Sequence, residues 1–168
     1  MNFKTDRLSF SLITHADQDD VFETLNARHT ADIISFFHWP MGMKQAQFWC
    51  DKAVTGFENK TEYLFIARQN DRAIGCISVH ISKSEKAETG YWVAEQCQGK
   101  GYATEMLSGV LEFSKNQLSV KEMAASTVLN NPASEHILLK SHFEYKGQEN
   151  LTLLNGTIRP SKIFFLKL

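Results

Sequence analysis

The alternation of apolar and polar residues at the start of the chain predicts one strand followed by two helices. Residues 8–12 alternate apolar with polar side chains, which is the pattern of a half-buried strand. Residues 14–17 resemble a capping box that opens the first helix. The second helix is predicted from residue 44 to about residue 57, with an apolar face formed by Ala46, Trp49, Ala53 and Phe57.

The middle of the chain is rich in predicted strands and ends in a long helix. Two apolar runs, at 63–67 and 73–79, are joined by a turn at Asn70 and Asp71 and predict a hairpin. Residues 90–93 form the centre of a third strand. A long helix follows residue 101, and its predicted face toward the sheet consists of Ala103, Met106, Leu107, Val110, Leu111 and Ser114.

The last third alternates between strands and a short helix. Residues 123–128 predict a strand, and Asn131 with Pro132 marks a helix start, with Asn at the cap and Pro in the first turn. Two closing strands are predicted at 143–146 and 163–168. This order of elements indicates one α/β (α+β) domain, residues 1–168, built around a mixed sheet.

Composition and charge exclude several classes of protein. The chain has 168 residues, 43% hydrophobic and 22% charged, with a net charge of −1, which favours a globular domain and does not favour a DNA partner. No apolar run is long enough to span a bilayer and no signal peptide is evident, so we expect a cytoplasmic protein without a membrane partner. The three cysteines and six scattered histidines have neither disulfide-framework nor metal-site spacing, so no metal is expected.

The most informative segment joins the third central strand to the long helix, and it consists of Gln98, Gly99, Lys100, Gly101, Tyr102, Ala103 and Thr104. Its two glycines allow a sharp turn and a close backbone approach to a ligand. The helix that follows presents free N–H groups and a partial positive charge, which together favour a phosphate or pyrophosphate. Lys100 could add charge and Thr104 a hydroxyl. Spacing alone is equally consistent with a tight turn that binds nothing, and it matches neither GxGxxG nor a Walker A loop.

The same segment resembles a known family. Gln98 to Ala103 fits the Q/R-x-x-G-x-G/A signature by which GCN5-related N-acetyltransferases (GNAT) bind acetyl-CoA. Flanking matches resemble the branch that acetylates the N-terminal alanine of ribosomal proteins, namely Thr5-Asp6-Arg7-Leu8, Ile74-Gly75, Asn131-Pro132-Ala133-Ser134 and Leu139-Lys140-Ser141-His142-Phe143. One departure is Ser141-His142, where the family has Leu-Gly. Glycine there would end the helix in a left-handed turn, which histidine tolerates at some cost.

The resemblance implies a single GNAT-like domain with a mixed, mostly antiparallel sheet flanked by helices. It implies direct transfer of acetyl from acetyl-CoA to a primary amine. Backbone groups at Tyr91, Trp92 and Val93 would bind the pantetheine and acetyl group. The loop from Gln98 to Thr104 would bind the pyrophosphate. Asn131 and Ser134 would contact the cofactor's arm. The expected acceptor is the N-terminal amine of a ribosomal protein; the alternatives are a small amine (polyamine, aminoglycoside or amino acid), a non-catalytic acyl-CoA-binding domain and a nucleotide-binding module. The family includes monomers and homodimers.

Two side chains are the candidates for proton transfer. Glu88 precedes the centre of the cofactor strand, and a desolvated carboxylate there would suit a general base. An ordinary solvated glutamate is equally consistent with its position. Ser134 is the candidate proton donor to the leaving thiolate, and a polar residue in the first turn of a helix is the competing interpretation. Cys97 has no neighbouring histidine to activate it, which disfavours a covalent acetyl-enzyme.

The acceptor site is the part that the sequence defines least. The resemblance places it between the amino-terminal helices and the loop at about 151–159. Phe36, Phe37, Trp39 and Trp49 are candidates to line it, although hydrophobic packing of the helical region explains them better.

Overall fold

The strands of the protein form one mixed sheet. The computed structural model describes residues 1–27, 42–83, 85–152 and 158–168. Within them the strands are β1 (Asn2–Lys4), β2 (Ser9–Leu12), β3 (Glu62–Gln69), β4 (Arg72–Lys83), β5 (Lys86–Val93), β6 (Glu122–Val128), β7 (Glu144–Thr152) and β8 (Ile158–Lys167). Their order across the sheet is β1-β2-β3-β4-β5-β6-β8-β7. Only β5 and β6 pair in parallel among the described strands. The predicted mixed, mostly antiparallel sheet is therefore confirmed.

Helices cover both faces of this sheet. They are α1 (Gln18–Leu25), α2 (Met43–Glu58), α3 (Tyr102–Gln117) and α4 (Pro132–Lys140). The capping box is present, since Thr14 and Asp17 exchange side-chain and backbone hydrogen bonds, and it opens a 3₁₀ turn that leads into α1. Asn131 caps α4 with Pro132 in its first turn, as the sequence predicted.

The hydrophobic pattern did not predict one strand, and it did not predict the full length of two others. The short β1 pairs with β2, and its Phe3 ring stacks on Phe10 with the ring centroids 4.3 Å apart. The hairpin β7–β8 extends well beyond the predicted closing strands, and most of the β7 side chains are exposed. Backbone pairing continues there without burial of side chains, so apolar alternation gives no signal.

The core has two parts, one on each face of the sheet. α3 packs on one face, where Met106, Leu107 and Val110 are fully buried against strand residues such as Phe65 and Ile77. α1 and α2 pack on the other face, and that cluster consists of Ile13, Val21, Leu25, Ala46, Trp49, Cys50, Ala53, Leu64, Ile66, Ala73, Cys76 and Trp92. The sheet therefore separates two apolar layers, and both contribute side chains to the site described below.

The predicted helix faces hold with two corrections. Ala103 and Leu111 of α3 are only partly buried, whereas Tyr102 and Phe113, which the predicted face omitted, are buried. Phe57 of α2 is 40% exposed and contacts the edge of Tyr63 instead of joining the core. In both helices, the local shape of the sheet decides which of the large rings are buried, and the helical period of the sequence does not encode that shape.

The carboxyl end of α4 adopts the left-handed turn that the family's glycine would favour. His142 has φ +66°, and the N–H groups of His142 and Phe143 bond the carbonyls of Leu139 and Leu138 at 3.0 Å each. This is a Schellman motif, completed by burial of Leu138 and Phe143 in one cluster. The geometry is thus kept although a side chain occupies a strained position.

Replacing His142 with glycine is expected to stabilise the protein. A left-handed non-glycine residue costs roughly 1–2 kcal/mol, and the greater freedom of glycine in the unfolded chain offsets part of that gain. We expect the free energy of unfolding to rise by about 1 kcal/mol and Tm by about 2–4 °C. Ser141→Gly is the matched control, because Ser141 has φ −89° and glycine there should only destabilise. A His142→Gly variant no more stable than the native chain would contradict the assigned strain.

No helix within the described ranges is both long enough and apolar enough to cross a membrane.

Candidate active site

A cleft opens where the two parallel strands separate. β5 and β6 pair only over residues 86–89 and 122–125, and beyond Thr89 the cleft side of β5 has no strand partner in the described chain. The cleft measures about 820 Å³. It brings together Glu88, Tyr91, Trp92, Val93, Gln98, Gly99, Gly101, Tyr102, Ala103, Thr104, Asn131 and Ser134. The site residues predicted from the sequence thus share one cavity, with Lys100 as the exception.

The glycine loop forms the end of the cleft at α3. Gly99 has φ +72° and Gly101 φ +79°, which side-chain-bearing residues rarely adopt. Gly101 is the N-cap of α3, and no side chain caps that helix end within the described residues. The first-turn N–H groups of α3 are therefore left for a ligand, and an anion is the group that such a site prefers.

Lys100 lies apart from the other loop residues. Its ammonium donates to the carbonyl of Gln96 at 2.9 Å, and its side chain does not line the cleft. Gln98 turns inward instead, and its amide donates to the carbonyl of Val93 at 3.1 Å. Lys100 thus braces the preceding turn, because the short loop directs its side chain away from the cavity.

The α4 wall meets the β5 wall through two hydroxyls. The Tyr91 and Ser134 hydroxyl oxygens are 3.1 Å apart, and the Ser134 amide donates to Oδ1 of Asn131 at 3.1 Å. Burial raises the pKa of the Tyr91 phenol, and the bond to Ser134 opposes this only in part. The phenol therefore stays protonated near neutral pH, so it can donate to Ser134 or to a ligand.

Polar groups also line the β6 wall. The Thr127 hydroxyl is buried and has no hydrogen-bond partner within the described residues. Thr127 nevertheless belongs to the cleft wall. Because buried polar atoms are nearly always paired, this hydroxyl suits a ligand that carries amide groups.

A row of three polar residues, Glu62, His80 and Glu88, crosses strands β3, β4 and β5 and lines the cleft. The sheet register places Glu62 beside His80 and His80 beside Glu88, so all three lie on the face covered by α2. Glu62 is 5% exposed and its carboxylate accepts a hydrogen bond from Lys52 at 2.5 Å. Glu88 and His80 are exposed. Of the two interpretations of Glu88, the structure therefore favours the solvated glutamate, because its side chain is exposed.

No sequence pattern selects Glu62, His80 or Lys52. They line the same cleft as Glu88, yet they come from β3, β4 and α2. The pairing register of the strands and the packing of α2 on them bring these residues together. Trp49 also lines the cleft while packing on Trp92 at a centroid distance of 5.3 Å, so it contributes to both the wall and the core.

Two other predictions concern groups near the cleft. Phe36, Phe37 and Trp39 lie outside the described residues, as does part of the 151–159 loop, of which Leu151 lines the cleft. Cys97 is buried at the cleft wall. No cluster of His, Cys, Asp or Glu suited to a metal occurs among the residues that the structure describes.

The sequence matches the family described as an acetyltransferase (GNAT) domain over residues 7–144. The uncharacterized N-acetyltransferase YoaA of Bacillus subtilis (strain 168) is 30% identical over 82 residues, covering 48% of this chain and 46% of that protein. The alignment thus spans about half the length of that relative.

Solved structures share the whole fold. A putative ribosomal-protein-serine acetyltransferase from Vibrio cholerae superposes with a TM-score of 0.85 at 18% identity, covering 100% of this chain and 98% of that chain. A spermidine N-acetyltransferase from Vibrio cholerae, solved with CoA and spermine, gives a TM-score of 0.79 at 17% identity, covering 97% and 96%. These identities show the fold alone. The family match covers most of the sequence, including β5, the glycine loop and α4, and the chain therefore belongs to the GNAT family of acetyltransferases.

Proposed function

We propose that this protein transfers acetyl from acetyl-CoA directly to the N-terminal α-amino group of a protein, with ribosomal proteins as the first candidates. The observation that carries the proposal is the cleft between β5 and β6. It combines an uncapped helix end, a stretch of β5 without a strand partner on its cleft side, and the hydroxyl of Ser134 in one cavity. These are an anion site, a site for an extended arm and a proton donor, which together suit a CoA thioester.

Each part of the cleft has a role toward the donor, which supplies the activated acetyl group. The loop at Gly99 and Gly101, with the first turn of α3, binds the pyrophosphate through backbone N–H groups. The strand segment at Tyr91 to Val93 binds the pantetheine arm and directs a backbone N–H at the carbonyl oxygen that becomes negative. Asn131 fixes the start of α4 and so positions Ser134.

Two side chains move the protons. Glu88 accepts the proton that the ammonium form of the acceptor loses, and the neutral nitrogen then attacks the acetyl carbon. Ser134 gives its hydroxyl proton to the sulfur as the carbon–sulfur bond breaks, and Tyr91, 3.1 Å away, donates to the resulting alkoxide. The second proton, which the nitrogen loses as the amide forms, passes through solvent in the cleft to the Tyr91–Ser134 pair, and Glu88 releases its own proton to solvent.

The exposure of the acceptor side favours a protein terminus over a small amine. Glu88 and His80 are open to solvent, and the buried Glu62 is neutralised by Lys52. A specific site for a small polyamine would need buried carboxylates left free to pair with the ammonium groups. A chain terminus needs only an accessible amine beside the thioester.

The proposal is tested by an acceptor screen with acetyl-CoA. We expect mass spectrometry to show one added acetyl group on peptides with a free N-terminal alanine or serine, and none on the same peptides with a blocked N-terminus. Lysine side chains in the blocked peptides are the internal control, because they show whether a primary amine other than the N-terminus is acetylated. Acetylation confined to spermidine, aminoglycosides or free amino acids would contradict the protein acceptor, and binding of CoA without any transfer would contradict the enzyme.

A further inference from the structure

An ionic cluster lies behind the glycine loop, outside the cleft. The carboxylate of Glu105, in the first turn of α3, accepts three hydrogen bonds from the amino-terminal segment. They come from the Thr5 hydroxyl at 2.6 Å, the Arg7 amide at 2.8 Å and the Arg7 Nε at 2.6 Å. None of these three residues lines the cleft. The amino terminus is therefore tied to the first turn of the helix that presents the anion site.

Arg7 also holds the loop backbone itself. Its Nη1 donates to the carbonyl of Lys100 at 3.1 Å, and this carbonyl lies between the two glycines with positive φ. In a trans peptide the C=O and the following N–H point in opposite directions. The bond therefore turns the N–H of Gly101 away from Arg7. Two glycines would otherwise leave this peptide free to rotate.

The Arg7 guanidinium is held in place from a second side. It lies 4.7 Å from the centroid of the Tyr102 ring, and the Tyr102 hydroxyl donates to Oε1 of Gln69 at 2.5 Å. Burial disfavours the charged form of Glu105, yet the hydrogen bonds from Thr5 and Arg7 outweigh it and hold the pKa of this carboxyl below its usual value. The cluster is thus ionised at neutral pH and geometrically fixed.

From these contacts we propose that Thr5, Arg7 and Glu105 form a clamp that positions the Gly99–Gly101 loop to bind the pyrophosphate of the acetyl donor. The identity of the donor in this proposal rests on the proposed function. Its members are positioning residues, since they act through the loop peptide and never touch the ligand. The amino-terminal segment therefore sets donor affinity from outside the cavity.

The clamp predicts a defect confined to donors that carry a pyrophosphate. Arg7→Met should raise the KM for acetyl-CoA and the Kd for CoA by about tenfold, as expected for loss of charge-assisted hydrogen bonds, and leave kcat within about twofold. With S-acetylpantetheine, which has no pyrophosphate, Arg7→Met and the native chain should have the same KM. Arg7→Lys keeps the charge but cannot reach Glu105 and the Lys100 carbonyl together, so it should resemble Arg7→Met.

Arg68→Met is the matched control. Arg68 pairs with Asp17 and Asp20 at 2.5 and 2.7 Å and does not line the cleft, so its loss should lower Tm without changing either donor's KM. Equal defects of Arg7→Met with both donors, or no change in CoA affinity, would overturn the clamp. A native chain that binds CoA tightly but acetylates no amine would overturn the proposed function while leaving the clamp's binding test intact.

Discussion

Replacing Ser134 with alanine is expected to lower kcat by about 100-fold, at the lower end of the range for loss of a general acid. The thiolate leaving group would then depart without a positioned proton. KM for acetyl-CoA should change by less than about threefold, because the pyrophosphate end of the donor is held elsewhere. The measurement is initial-rate kinetics with the acceptor peptide identified by the screen.

Tyr91→Phe is the matched control for this effect. It keeps the ring that packs on the sheet and removes only the hydroxyl that lies 3.1 Å from Ser134 Oγ. We expect a kcat defect smaller than that of Ser134→Ala, and no further loss when the two substitutions are combined, since they act in one chain of proton transfer. If Ser134→Ala retained full kcat, Ser134 would be only a polar residue at the start of α4.

Local features of the site were predictable because short-range chemistry determines them. The positive φ values at Gly99 and Gly101 and the cap at Asn131 depend on residues within one turn. Each feature has its own sequence signature, and the structure places each of them on the cleft. The same locality makes the capping box at Thr14 predictable, since its partner Asp17 is only three residues away.

Features that depend on register were not predictable. The alignment of Glu62, His80 and Glu88 requires the pairing of three strands, and a slip by one residue would send them to opposite faces. The separation of β5 from β6 beyond Thr89, which creates the cleft, leaves no mark in the apolar pattern. Exposure of Glu88 likewise depends on what packs over its face of the sheet, so the residues around it in sequence do not indicate whether its carboxylate is desolvated.

The Thr5–Arg7 segment is a third kind of feature, one whose sequence motif was noticed but whose contacts were not predicted. Its residues matched a family pattern, but their contacts with Glu105 span 98 to 100 positions along the chain. A matched motif therefore indicated importance without indicating a role, and only the fold supplied the partner.

Replacing Glu88 with glutamine is expected to lower kcat/KM by about 100-fold at pH 7. Glutamine keeps the shape of the side chain and removes its capacity to accept the amine proton. Because Glu88 is exposed, Tm should be almost unchanged, which separates a catalytic defect from a folding defect.

The dependence on pH provides the decisive measurement for Glu88. An N-terminal amine has a pKa of about 7.7–8.0, so at about pH 9.5 nearly all of it is neutral and a base is no longer needed. The defect of Glu88→Gln should therefore shrink to less than about threefold at that pH.

His80→Gln is the matched control, since His80 is the register partner of Glu88, is also exposed and lines the same cleft. A defect that appears with His80→Gln and not with Glu88→Gln would move the base to the histidine, and a Glu88→Gln defect that persists at high pH would show that Glu88 binds the acceptor instead of deprotonating it.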